Sequence, residues 1–189
     1  MLTLEPHGWL ATELGVSLRP SPNFNDRPTG TTVSLLVLHN ITLPPGRFGT
    51  PYIADLFLNQ LDISADPWFV NVQGLKVSAH FVIDRLGHIT QFVSCDDRAW
   101  HAGASSFEGR EQCNDFSIGI ELEGTDALPF EDRQYERLAA LTQCLRAHYP
   151  LAAVAGHSEI APGRKTDPGP CFDWSRFKVL AQWPTPHGN

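Results

Sequence analysis

Val33-Ser34-Leu35-Leu36-Val37-Leu38-His39-Asn40 is the stretch from which this chain is best read. A short, unbroken apolar run rich in Val and Leu has the pattern of a strand covered on both faces, since a half-exposed strand would alternate apolar with polar. Pro44, Pro45 and Gly46 follow in the next loop and end any pairing there. His39 therefore stands at the exit of a central strand, the end at which open sheets place ligand-binding side chains.

Upstream, residues 1–30 hold Pro20, Pro22 and Pro28 among polar residues and read as an irregular N-terminal arm packed on the domain through Trp9, Leu10 and Phe24. Downstream, Thr50 suits an N-cap and Pro51 a first helical position, predicting a helix with Ile53, Leu56, Phe57 and Gln60 on one face. Residues 62–76 show no period, and Trp68 and Phe69 beside Pro67 fit either a mobile lid or a packed loop. Ser78 to Val93 alternates as a hairpin with its turn at Arg85-Leu86-Gly87. A strand from Phe116 to Leu122 delivers Glu121. A helix from Glu131 to Tyr149 stops at Pro150, with acidic residues at its start and Arg146 and His148 at its end. A strand from Leu151 to Ala155 leads to His157, Asp173 caps a helix from Trp174 to Gln182, and residues 184–189 form a frayed tail. Strands alternating with helices, plus one hairpin, predict a single α/β domain over residues 31–183: a mixed central sheet flanked by helices.

At 189 residues the chain can bury a sizeable core, and 42% hydrophobic with 19% charged residues is a soluble globular composition. A net charge of -7 argues against a nucleic-acid partner, which calls for a basic patch. The first twenty residues lack the basic start and apolar core of a secretory signal, and no run approaches the ~18 apolar residues of a membrane span. Cys95, Cys113, Cys144 and Cys171 are widely spaced and read as reduced thiols of a cytoplasmic protein.

The chemistry concentrates in Gly156-His157-Ser158-Glu159-Ile160-Ala161-Pro162-Gly163-Arg164-Lys165-Thr166-Asp167-Pro168-Gly169-Pro170. Its prolines and glycines predict a built loop, neither helix nor central strand. Imidazole nitrogen and carboxylate oxygen are both Zn²⁺ donors, and a catalytic zinc takes three protein ligands and leaves a position for water. His157 and Asp167 supply two, and His39 is the best third, since both histidines follow apolar runs that can be neighbouring strands. On the residues alone, other readings stand beside this one. His39 can be a hydrogen-bonded core histidine, Asp167 a turn residue before proline, Lys165 a solvent-facing charge, and Cys171 a buried thiol or a rival ligand. Glu121 and Glu123 share a strand face, so alternation does not separate them.

Leu38-His39-Asn40, Val77-Ser78-Ala79-His80-Phe81, Arg98-Ala99-Trp100-His101-Ala102-Gly103, Asn114-Asp115-Phe116-Ser117-Ile118-Gly119-Ile120-Glu121, and Gly156-His157 through Lys165-Thr166-Asp167-Pro168-Gly169-Pro170 occur in this order. Together they resemble the zinc-dependent N-acetylmuramoyl-L-alanine amidases of the AmpD type, the cytosolic 1,6-anhydro-N-acetylmuramyl-L-alanine amidases of cell-wall recycling. The likeness runs over roughly residues 8–180. It implies the amidase fold shared with peptidoglycan recognition proteins and phage lysozyme-type amidases. It also implies one Zn²⁺ held by His39, His157 and Asp167, with Glu121 as general base and Lys165 beside the developing oxyanion. The implied substrate is a small muropeptide cut between the lactyl group of the anhydro sugar and L-alanine, handled by a monomer. Asn40, Lys76, Trp100, His101 and Arg110 are candidate substrate contacts, while Gln112 stands where relatives can present arginine. His80 keeps a structural reading. Two rivals remain: an amidase of polymeric wall peptidoglycan, and a muropeptide-binding module without catalysis. The second is disfavoured because every chemical position is filled.

Overall fold

In a computed structural model describing residues 2–184, the apolar run becomes the middle of a sheet. The strands are β1 (Val16–Leu18), β2 (Phe24–Asn25), β3 (Leu35–Ile41), β4 (Phe81–Ile83), β5 (Ile89–Gln91), β6 (Arg98–Ala99), β7 (Ser106–Phe107), β8 (Arg110–Glu111), β9 (Ser117–Glu123) and β10 (Ala153–Gly156). The helices are α1 (Tyr52–Phe57), α2 (Asp132–His148), α3 (His157–Ile160) and α4 (Trp174–Leu180). The main sheet runs β1-β5-β4-β9-β3-β10, with every neighbouring pair parallel except the β4–β5 hairpin. It is the mixed sheet expected.

Strand parity decides which side chains go where. Leu36 and Leu38 of β3, with Ile118, Ile120 and Leu122 of β9, pack against Leu138, Leu141 and Leu145 of α2. Leu35 and Val37 point the other way, toward Phe116, Ala155 and Ile160, and His39 continues that second face. The start of α2 is locked in place by a capping box between Glu131 and Gln134. The buried Gln134 amide also donates to Ile83 O at 3.3 Å and Glu123 O at 3.0 Å, fastening the helix to the ends of β4 and β9.

Several expectations change. The N-terminal arm is not irregular throughout: Val16–Leu18 enters the main sheet beside β5, a strand too short to announce itself by alternation. Leu2, Leu4 and Leu10 join the core, whereas Phe24 is 42% exposed in a small ribbon with β6 and is no anchor. Thr50 does not cap α1, because its hydroxyl donates to Leu43 O at 2.7 Å instead. The helix stops at Phe57, so Ile53, Leu56 and Phe57 are buried and Gln60 lies beyond its end, exposed. The segment after Gly156 opens with one helical turn, α3, because its first proline comes only at Pro162. Within residues 62–76, which form two short 3-10 turns and are otherwise mostly exposed, Phe69 is fully buried and meets Tyr52 edge-on, with ring centroids 4.9 Å apart.

The cap at Asp173 forms as expected, its carboxylate accepting from Arg176 N at 2.9 Å. The expected frayed tail lies outside the described residues apart from Pro184. No helix among the described residues is long and apolar enough to cross a membrane. All four cysteines are free.

Candidate active site

Register alone lines up the chemistry. His39 of β3 sits opposite Glu121 of β9, and Gly156 of β10 sits opposite Leu38, so the next residue, His157, comes level with His39. After α3 the loop turns back, and Ser158 N donates to Asp167 O at 2.9 Å to close it. This brings Asp167 Oδ2 to 3.0 Å from Nδ1 of His39 and 3.0 Å from Nδ1 of His157, the two nitrogens being 2.9 Å apart.

These atoms suit a cation. His157 Nε2 lies 3.0 Å from the carbonyl oxygen of Ala102, which can only accept, so the ring proton sits on Nε2 and Nδ1 turns a lone pair toward the centre. The carboxylate oxygen adds a second. Acceptors this close repel unless a positive ion lies between them. Zinc bonds of about 2.0–2.1 Å in a tetrahedron separate the donor atoms by ~3.3 Å, near the edges seen here, and two imidazoles with one carboxylate are ordinary zinc donors. Cys171 is not part of the cluster. Burial lowers His39 to about 4 and keeps its ring neutral.

Glu121 and Glu123 share the site face yet have different surroundings. Glu123 accepts from Gly49 N at 2.6 Å and Arg85 N at 3.2 Å, holding two loops to the strand end. Glu121 Oε2 is buried with no hydrogen-bond partner in the protein. Burial raises the Glu121 carboxyl well above its ordinary value, Asp167 raises it further, and Lys165 opposes them. Lys165 itself is exposed, and its charge also reaches His39.

The family profile described as N-acetylmuramoyl-L-alanine amidase matches residues 29–170. The chain belongs to that family. This amidase is 56% identical over 175 residues to the 1,6-anhydro-N-acetylmuramyl-L-alanine amidase AmpD of Citrobacter freundii, covering 92% of each chain. A crystal structure of a Se-Met AmpD derivative superposes with a TM-score of 0.89 at 55% identity, covering 94% of this chain and 98% of the other. The Escherichia coli amidase AmiD, solved with the substrate anhydro-N-acetylmuramic acid-L-Ala-D-gamma-Glu-L-Lys, gives a TM-score of 0.59 at 25% identity, covering 94% of this chain and 65% of the other. Peptidoglycan recognition proteins LCa and LCx, bound to tracheal cytotoxin, share the fold at 18% identity with a TM-score of 0.58, over 89% of this chain and 96% of the other.

The candidate substrate contacts of the amidase scatter. His101 is drawn inward, its Nδ1 2.9 Å from His39 Nε2. Asn40 donates to Asp126 Oδ1 at 2.7 Å and Pro168 O at 3.1 Å, clamping the loop that carries Asp167 to the end of β3. Trp100 is half-buried, its indole donating to Asn25 Oδ1 at 2.7 Å. Lys76 is exposed on the rim of an apolar cavity lined by Leu56, Ile63, Val72 and Leu75. Arg110 is not brought to the site: it stacks 3.7 Å over Phe116 and donates to Ser34 Oγ at 3.1 Å. Ser34 precedes β3, five residues before His39, or about 16 Å away at ~3.3 Å per residue.

The sequence reading passed over Arg27. Its buried guanidinium donates to the carbonyls of Asn114, Asp115, Cys95 and Ser117 at 2.8–3.1 Å, tying the N-terminal arm to the start of β9. Burial lowers it to about 10. A single arginine in a proline-rich stretch carries no signal of such a role.

Proposed function

We propose that this amidase hydrolyses the amide between the lactyl group of 1,6-anhydro-N-acetylmuramic acid and L-alanine in small muropeptides, using one Zn²⁺ held by His39, His157 and Asp167. The observation that carries the reading is the convergence of two imidazole nitrogens and a carboxylate oxygen beside the unpartnered carboxyl of Glu121. Likeness to relatives acting on that anhydro sugar supports the choice of substrate.

An amide is a poor electrophile with a poor leaving group, so cleavage needs an activated nucleophile, an oxyanion partner and a proton for the departing amine. A zinc ion, when bound, acidifies water to a pKa of about 7 and polarises the carbonyl. Glu121 takes the proton of the attacking water on its free Oε2 and hands it to the leaving nitrogen, a return step helped by its raised pKa. The Lys165 ammonium offsets charge on the tetrahedral oxyanion, a contribution of ~3 kcal/mol by comparison with other oxyanion donors. Trp100 serves as a groove contact for the sugar or peptide. The enzyme works as a monomer in the cytoplasm, a placement supported by four unpaired thiols.

The test is product analysis by mass spectrometry of zinc-loaded protein given 1,6-anhydro-muropeptide or intact sacculi. Free peptide and anhydro sugar should form rapidly from the first and slowly from the second. Equal release from sacculi would favour a wall-lytic amidase instead.

A further inference from the structure

We propose that Ser117 and His101 form a hydrogen-bonded relay that sets the tautomer of His39, so that its Nδ1 presents a lone pair to the metal. The inference rests on the zinc-site reading above and assigns His101 a positioning role instead of a substrate contact.

The relay is fixed from its far end. Ser117 Oγ lies 2.5 Å from Cys113 O, an atom that can only accept, so the hydroxyl proton is committed there. The hydroxyl then offers only lone pairs to His101 Nε2, 3.1 Å away, and His101 must carry its proton on Nε2. The ring bonds to no carboxylate and stands edge-on to His80, centroids 5.8 Å apart, with Arg27 Nη2 3.2 Å from His80 Nε2. A second proton would set charge near charge with no anion to balance it. Neutral His101 therefore accepts at Nδ1 from His39 Nε2, 2.9 Å away, and His39 is left with Nδ1 bare toward His157 and Asp167. Each bond in the series has one workable direction.

Gly119 makes room for it. A Cβ there would lie 2.4 Å from His101 Cγ and 2.5 Å from its Nδ1, so the ring occupies the space of the missing side chain. Ser117, Gly119 and Glu121 share one face of β9 at two-residue intervals. In turn they anchor the relay, admit the ring and carry the proposed base. The outer-shell partner of a metal-bound histidine commonly fixes its tautomer, and its loss typically costs 10–100-fold in affinity.

The test uses full-length protein with ¹⁵N-labelled histidine. In the zinc-loaded wild type, ¹⁵N–¹H correlation spectra should place the protons of both His101 and His39 on Nε2, with a nitrogen–nitrogen coupling across the bond that joins them. A His101 proton on Nδ1 overturns the relay without any variant. Zinc affinity, measured against a chromophoric chelator, should fall about 10–100-fold in Ser117→Ala and in Gly119→Ala. Ser117→Thr, which keeps the hydroxyl, should restore it. Wild-type affinity in a folded Ser117→Ala protein also overturns the relay. The His39→Ala control separates the two levels: if it binds zinc as tightly as wild type, the zinc-site reading fails and takes the relay with it. If it loses zinc while Ser117→Ala does not, only the relay fails.

Discussion

Glu121 and Glu123 sit two positions apart on one strand face, and what each meets there gives them different work. Glu121→Gln removes the free carboxylate and should lower kcat by about 10²–10⁴-fold with one zinc per chain retained, as read by metal analysis beside steady-state rates. Glu123→Gln should leave kcat near wild type and instead lower stability by about 1–3 kcal/mol, since it disturbs the acceptor for Gly49 N and Arg85 N. His80 gives a pH prediction. Its Nδ1 accepts from Gly119 N at 3.0 Å, so the ring is neutral, and burial, aided by Arg27, lowers its pKa to about 3. The unfolded chain takes up this proton below about 6.5, earlier than the folded one. The histidine therefore costs nothing above that pH and destabilises progressively from about pH 6.5 toward 3, by up to ~1.4 kcal/mol per unit. His80→Gln, which offers one acceptor and one donor, should flatten the acid limb of a denaturation series; an unchanged slope would count against the neutral buried ring. At this scale the donor residues were legible because imidazole and carboxylate advertise their chemistry. Which nitrogen of each imidazole faces inward was not, because Ala102 and His101 decide it from elsewhere in the chain.

Elements long enough to show a period were legible, as was the short β4–β5 hairpin through its glycine turn, whereas isolated short elements were not. The apolar run of β3 and the repeat of Tyr135, Leu138, Leu141 and Leu145 in α2 are visible because burial selects residues over several turns or pleats. β1 has three residues and α3 four, fewer than either period needs to repeat convincingly. The strands expected before His39 and before His157 lie within about two residues of β3 and β10, the usual slack at element ends. Leu138 joins α2 to the sheet face formed by Leu36, Leu38 and Ile120, and it is fully buried. Leu138→Ala should therefore cost about 2–5 kcal/mol in denaturant unfolding, with zinc affinity preserved in the folded fraction.

Across the whole molecule, the proposed ligand set links β3 to residues 118 and 128 positions further along the chain. An ion held there binds the folded chain and not the open one. Removing it by chelation should lower Tm, by about 4 kcal/mol of stability where free zinc had been at a thousand times its Kd. At about 2–4 °C per kcal/mol for a chain of this size, calorimetry with and without chelator resolves the shift easily. The arm belongs to the same unit, since Arg27 and β1 join it to β9 and β5. Those long-range ties were hidden because nothing local in a proline-rich arm marks its partner.

The most direct measurement is turnover of 1,6-anhydro-N-acetylmuramyl tripeptide by metal-stripped protein as Zn²⁺ is returned in steps. Activity should begin near zero, rise in proportion to added zinc and level off at one ion per chain. Full turnover before any metal is added, or a plateau at another stoichiometry, would contradict a single ion held by His39, His157 and Asp167.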